Sequence, residues 1–278
     1  MKIYISSDME GSTGVVSAAQ TDRAKPQYAF GRAMQASDLR AAVKGAFEAG
    51  ADSVVVNDSH SSMTNIDIAQ LDGDVRLISG TPKLLGMVEG AGECDAAIFL
   101  GYHAMAGTEK AVLDHSFDSR TIYGLTVNGQ KMGEAGINAL LCGALGVPVI
   151  MACGDEALCY EAASLLGDRL VVCSVKEGLG RSAALCLPPD KSSALISASV
   201  KEAVARLKRG EFAPFAPEGP YTLEATLMNT LQTDAASLVP GASRVAARTL
   251  RFETQEALEL RRLLYSVIEC ASAVGEDY

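Results

Sequence analysis

Met1-Lys2-Ile3-Tyr4-Ile5-Ser6-Ser7-Asp8-Met9-Glu10-Gly11 opens the chain, and the fold follows from how this stretch is read. Ile3, Tyr4 and Ile5 form a short β-favouring apolar run that stops at Ser6-Ser7-Asp8, with Gly11 and Gly14 close behind, so a strand is followed by a turn. Residues 28–50 are rich in alanine and read as a helix, with Phe30, Met34, Leu39, Val43 and Phe47 roughly at helical spacing and Gly50 as its cap. Val54-Val55-Val56-Asn57-Asp58-Ser59-His60 then supplies an unbroken apolar run, the pattern of a strand buried on both faces. Strand, helix and strand make a βαβ unit, whose two strands leave the same edge of a parallel sheet. A third run, Ala96-Ala97-Ile98-Phe99-Leu100, repeats the pattern and ends in Gly101-Tyr102-His103-Ala104.

Between these strands, residues 71–92 read as mixed loop and helix, and residues 105–121 as an irregular polar segment. Residues 125–130 read as a hairpin because Asn128-Gly129 favours a type I′ turn. Residues 131–136 open an apolar helix that runs to about Gly143, with Glu134 near its first turn, and strands at 147–152 and 170–175 and helices at 156–166 and 192–209 follow. The Pro-rich stretch 212–220 reads as a linker, strands are expected at 221–227 and 249–253, and a helix at 255–273 closes the chain. The fold class is therefore α/β, with a mostly parallel central sheet flanked by helices and a smaller C-terminal α+β subdomain. Residues 1–209 would form the catalytic domain and residues 210–278 the subdomain packed on it.

At 278 residues the chain can bury a sizeable core, and its 48% hydrophobic and 21% charged residues are ordinary for a soluble protein. A net charge of -10 argues against a nucleic-acid partner, whose phosphates need a basic face. No basic, apolar leader precedes Ile3 and no span suits a membrane, so neither export nor membrane insertion is expected. Seven scattered cysteines without a CxxC pair fit a reduced, cytoplasmic protein with buried thiols.

Asp8 and Glu10 stand at the first strand's exit. Acidic residues there serve commonly as solvated loop residues or helix caps, but two carboxylates two residues apart on an extended chain repel unless a cation lies between them. The only three histidines, His60, His103 and His115, all follow predicted strands at the same sheet edge, where open α/β sheets bind their ligands. A pair of near-tetrahedral zinc ions needs about eight coordination positions. Asp8 bridging both ions, with Glu10, His60, His103 and Glu134 giving one contact each and a shared water completing the set, closes that count without cysteine. His115 is then left over, either as a surface loop residue or as a general acid, base or oxyanion stabiliser. Asp58 and Asp114, each close in sequence to a histidine, suggest acceptors that orient imidazoles.

Ser7-Asp8-Met9-Glu10-Gly11, Asn57-Asp58-Ser59-His60, Gly101-Tyr102-His103-Ala104, Asp114-His115-Ser116, and Asn128-Gly129 followed by Gly133-Glu134-Ala135-Gly136 together resemble the signature blocks of the M55 family of zinc aminopeptidases. They occur in that family's order and near its spacing over the first half of the chain. The second half is similar more diffusely, through Pro240-Gly241 and Thr249-Leu250-Arg251-Phe252-Glu253. The resemblance implies a di-zinc exopeptidase that removes N-terminal residues from short peptides, D-alanyl dipeptides being the type substrate. It also implies Asp8, Glu10, His60, His103 and Glu134 as zinc ligands, His115 as the catalytic residue, and a ring-shaped homo-oligomer, a pentamer or decamer, enclosing the active sites. Alternatives from the residues alone are a di-metal hydrolase of another amide or ester, an L-specific aminopeptidase, and a metal-dependent peptide-binding protein without turnover. Phosphate chemistry would usually bring Arg or Lys to the site, and the motifs contain neither.

Overall fold

The computed structural model describes residues 1–274. The chain opens with β1 (Lys2–Ser7), a single turn α1 (Ala18–Thr21), α2 (Tyr28–Glu48) and β2 (Ser53–Asp58), the expected βαβ unit. β1 and β2 pair in parallel, with Lys2 opposite Ser53 and Ser7 opposite Asp58, so their exits are level. β3 (Val75–Ile78) extends the sheet beyond β2, and β4 (Ala96–Tyr102) pairs with β1 on its other side. β3 falls where loop and helix were expected. It is only four residues long and half exposed at the sheet edge, so its apolar pattern is weak.

β5 (Ile122–Val127) and β6 (Gln130–Lys131) form the expected hairpin, with Asn128 at φ 52° and Gly129 at φ 78°, the left-handed pair a type I′ turn requires. α3 (Glu134–Ala144), β7 (Val149–Asp155), α4 (Glu156–Leu166) and β8 (Val171–Gly180) continue the α/β alternation. β9 (Ala183–Cys186) then turns back antiparallel on β8, and α5 (Pro189–Lys208) begins with proline in its first turn. β10 (Tyr221–Leu227), α6 (Thr230–Ala236), β11 (Ser243–Ala246), β12 (Thr249–Thr254) and α7 (Ala257–Ser272) follow.

The main sheet runs β3-β2-β1-β4-β7-β8-β9 and is parallel except for β9. α2 and α5 cover one face, over Ile3, Ile5, Val54, Val56, Ile98 and Leu100. They approach closely because Gly45 has no side chain: a Cβ there would lie 2.7 Å from the Ser197 carbonyl oxygen. α3, α7 and a second sheet cover the other face, over Tyr4, Phe99 and Tyr102. Coverage on both faces is why β2 and β4 read as unbroken apolar runs. The second sheet, β11-β12-β10-β5-β6, is antiparallel and takes strands from both sides of residue 210. Its β10 alternates buried Tyr221, Leu223, Ala225 and Leu227 with half-exposed Thr222, Glu224 and Thr226, so one face packs on the core and the other opens outward.

Two glycines let the exits of β1 and β4 touch. The Gly11 amide donates to the Gly101 carbonyl at 2.7 Å, and a Cβ on Gly11 would sit 1.8 Å from the Tyr102 carbonyl oxygen. Gly101, at φ 71°, meets the Asp8 carbonyl in the same way. Gly11→Ala is therefore expected to lower stability by about 3 kcal/mol through backbone overpacking. Urea unfolding checks this, and an unchanged midpoint would refute it. All seven cysteines are free, and five are buried. Among the described residues, no helix is long and apolar enough to cross a membrane.

Candidate metal centre

Strand exits and one helix start bring all six residues singled out in the sequence into one cluster. Asp8 and Glu10 lie in the turn after β1, His60 two residues past β2 and His103 directly after β4. Glu134 is the first residue of α3, following the N-cap Gly133, and His115 sits in the loop between β4 and β5. β1 has already ended at Ser7, so Asp8 and Glu10 share a turn rather than one face of an extended chain. They nevertheless meet at His60, whose Nδ1 is 2.9 Å from Glu10 Oε2 and 3.3 Å from Asp8 Oδ1. His103 Nε2 lies 3.6 Å from Asp8 Oδ2 and 3.2 Å from Glu134 Oε1, and His115 Nε2 lies 3.6 Å from Glu134 Oε1.

Each imidazole is held through its other nitrogen by a backbone carbonyl. His60 Nε2–H donates to Thr21 O at 2.9 Å, His103 Nδ1–H to Ala104 O at 3.0 Å, and His115 Nδ1–H to Leu113 O at 2.9 Å. Such a contact sets ring orientation and tautomer, leaving the facing nitrogen as a lone-pair donor. His115 also stacks on His103, with ring centroids 3.9 Å apart. Leu113 at φ 54° and Phe117 at φ 61° bracket His115 in the left-handed region, which costs non-glycine residues of order 1 kcal/mol each and is tolerated mainly where function requires it.

The cluster is buried, and its electrostatics follow from that. Burial, reinforced by Glu10, pushes the Asp8 carboxyl up to about 7. Burial also works against charge on Glu10, but His60 overrides it and holds that carboxyl well below its usual range. His103 resists charging through burial, yet Glu134 and Asp8 raise it to about 10, while Glu10 and Asp8 raise His60 well above the ordinary imidazole value. Burial and repulsion from His103 lower His115. The buried carboxylates thus favour positive charge at His60 and His103. A divalent cation would supply that charge in place of protons.

The donor set suits such a cation. Two ligands on one tetrahedral zinc lie about 3.4 Å apart, since each is about 2.1 Å from the metal; four of the five cross-contacts, at 3.2 to 3.6 Å, match that edge, and the fifth, His60 to Glu10 at 2.9 Å, is shorter and has hydrogen-bond length. Asp8, Glu10 and His103 offer one set of donor atoms within 4.8 Å of one another, and His103, His115 and Glu134 offer a second. Of the six, only His115 reaches outward, with 18% of its side chain exposed. It lines a cavity of about 440 Å³ walled by Met105, Tyr123, Lys131, Arg181 and Met228.

Asp58 does not orient an imidazole. Its carboxylate accepts the amides of Asn65 and Ile66 and the Asn65 side chain, which in turn donates to the His60 carbonyl. Asp114 pairs with Arg181 at 3.0 Å and takes the Gly107 amide at 2.7 Å, so it shapes the cavity wall instead. Sequence reading missed buried Lys176 and Asp38, both of which grip the turn after β1. The one local signal was a lysine at the end of the apolar run 171–175. Lys131 and Arg181 were missed as cavity residues because the folds of two hairpins bring them there.

Three comparisons bear on this arrangement. The family model for peptidase M55, D-aminopeptidase, matches residues 1–266. A D-aminopeptidase of Bacillus subtilis (strain 168) is 34% identical over 275 residues, covering 98% of each chain. The solved structure of the Zn-dependent D-aminopeptidase DppA from Bacillus subtilis, a self-compartmentalizing protease, aligns with a TM-score of 0.94 at 32% identity, covering 99% of each chain. With its strand-exit cluster and mixed α/β architecture, the chain belongs to peptidase family M55, the D-aminopeptidases.

Proposed function

We propose that this protein is a zinc aminopeptidase that removes the N-terminal residue from short peptides, D-alanyl dipeptides such as D-Ala-D-Ala being the type substrate. Two zinc ions per subunit would be held by Asp8, Glu10, His60, His103 and Glu134, with His115 as the catalytic residue. The observation that carries this reading is the set of three imidazoles, each held at one nitrogen by a backbone carbonyl so that the other faces three buried carboxylates. The relative of known structure is a zinc-dependent enzyme, which agrees with this all-nitrogen and oxygen donor set.

Zinc, when bound, supplies Lewis-acid polarisation of the scissile carbonyl and an acidified water. The chain's own residues do the rest. Asp8 presents Oδ1 towards His60 and Oδ2 towards His103, so one carboxylate spans both halves of the centre. His115, with Nδ1–H donated to Leu113 and its basicity lowered, offers a neutral Nε2 at the cavity edge that accepts a proton and returns it to the departing amine. The half-exposed face of β10 and the β5–β6 hairpin wall a cavity that suits a peptide of a few residues. By analogy with the self-compartmentalizing relative, copies of the chain would assemble into a closed ring, a pentamer or decamer, that restricts entry to short peptides.

The test is release of the N-terminal residue from matched D-Ala-D-Ala and L-Ala-L-Ala, with zinc-loaded and chelated protein side by side. Zinc-dependent release from the D-dipeptide is the expected result. Release from the L-dipeptide alone would reverse the handedness. No release from either with zinc bound would move the reading to another hydrolase chemistry or to a peptide-binding role.

A further inference from the structure

The turn after β1, which carries Glu10, is gripped from two sides by residues distant in sequence. Lys176 in β8 is 2% exposed, and its ammonium donates to the carbonyls of Glu10 at 2.6 Å, Ser12 at 2.9 Å and Val15 at 2.5 Å. A lysine ammonium has three N–H donors, and here three carbonyls accept them. Asp38 in α2, 1% exposed, takes the complementary groups: the Thr13 amide at 2.8 Å and the Thr13 hydroxyl at 2.9 Å. The cation collects the acceptors of the turn, and the carboxylate collects its donors.

A buried ammonium is costly to desolvate, and a methionine would fill the same space without that cost. Such a methionine would strip all three carbonyls of the ammonium and leave those of Glu10 and Val15 unpaired, while Ser12 O keeps the Val15 amide at 3.1 Å. All three lie in residues 10–15, one of them on Glu10 itself, whose side chain meets His60 at 2.9 Å. Lys176 makes no such contact with the His103, His115 and Glu134 side of the centre.

We propose that Lys176 and Asp38 are positioning residues for the metal centre, a two-sided clamp on residues 10–15 that preorganises the half built from Asp8, Glu10 and His60. The inference rests on the metal-binding reading above. Neither residue touches the reacting atoms; both act through the placement of Glu10.

The test compares Lys176→Met and Asp38→Asn with the unaltered full-length protein. Zinc affinity is read by competition with a chromophoric chelator, and amide hydrogen exchange is followed with and without zinc. In both variants zinc affinity is expected to fall about 10- to 100-fold, the range for removing a partner that orients a metal ligand. Exchange is expected to quicken across residues 9–16 and to stay unchanged around Glu134. Unaltered zinc affinity, or exchange that quickens uniformly along the chain, would reduce the clamp to an ordinary stabiliser of the fold. If Lys176→Met does not fold, Asp38→Asn, which keeps the side-chain volume, carries both readouts alone. Wild-type protein that binds no zinc would overturn the metal reading, while the zinc-free exchange comparison would still decide whether the clamp orders the turn.

Discussion

Replacing Asp8 with alanine is expected to strip the centre of metal and lower kcat/KM by more than about 10³-fold, because Lewis-acid stabilisation is worth several kcal/mol and each 1.36 kcal/mol is a factor of ten. The magnitude follows from position. Asp8 is the residue whose two oxygens reach different histidines, His60 at 3.3 Å and His103 at 3.6 Å, so its loss opens both halves together. Truncation also leaves two raised histidines without one of the carboxylates that raise them, which weakens the cluster electrostatically. Metal content by atomic absorption, measured beside the hydrolysis rate, checks the prediction. An Asp8→Ala protein with full metal and near-native turnover would remove Asp8 from the centre.

His115→Ala is expected to behave differently: zinc stays bound, while turnover falls by about 10²- to 10⁴-fold, the usual contribution of a positioned acid or base. His115 is the partly exposed member of the cluster, faces the cavity, and approaches one carboxylate at 3.6 Å. Its loss should also remove one ionisation from the pH dependence of kcat/KM. The competing geometry is concrete, because His115 shares a 4.8 Å donor set with His103 and Glu134. Zinc loss in parallel with activity would make His115 a ligand.

Much of this could be read without coordinates. Ile3–Ile5, Val54–Val56 and Ala96–Leu100 are apolar without interruption because both faces of the main sheet are covered, and that pattern placed three strand exits side by side. β3, β9, α6 and β11 escaped notice because they are short, and each element except α6 lies at a sheet edge, where burial leaves little periodic trace.

Legible in the residues alone were the element type of each long segment, the order of the acidic and histidine motifs along the chain, and the common sheet edge to which a βαβ topology must bring them. These follow from local periodicity and from the handedness of parallel crossovers, which act over a few tens of residues. Packing in three dimensions set the rest: which nitrogen of each histidine faces inward, how Asp8 divides its oxygens, that the β5–β6 hairpin joins a sheet built mainly from residues beyond 220, and that Lys176 and Asp38 close on one turn. Lys176 lies more than 160 positions from the carbonyls it grips. Contacts of that kind depend on the register and packing of distant elements, and hydrogen-bond directionality then selects one arrangement. No local pattern of residues records that choice.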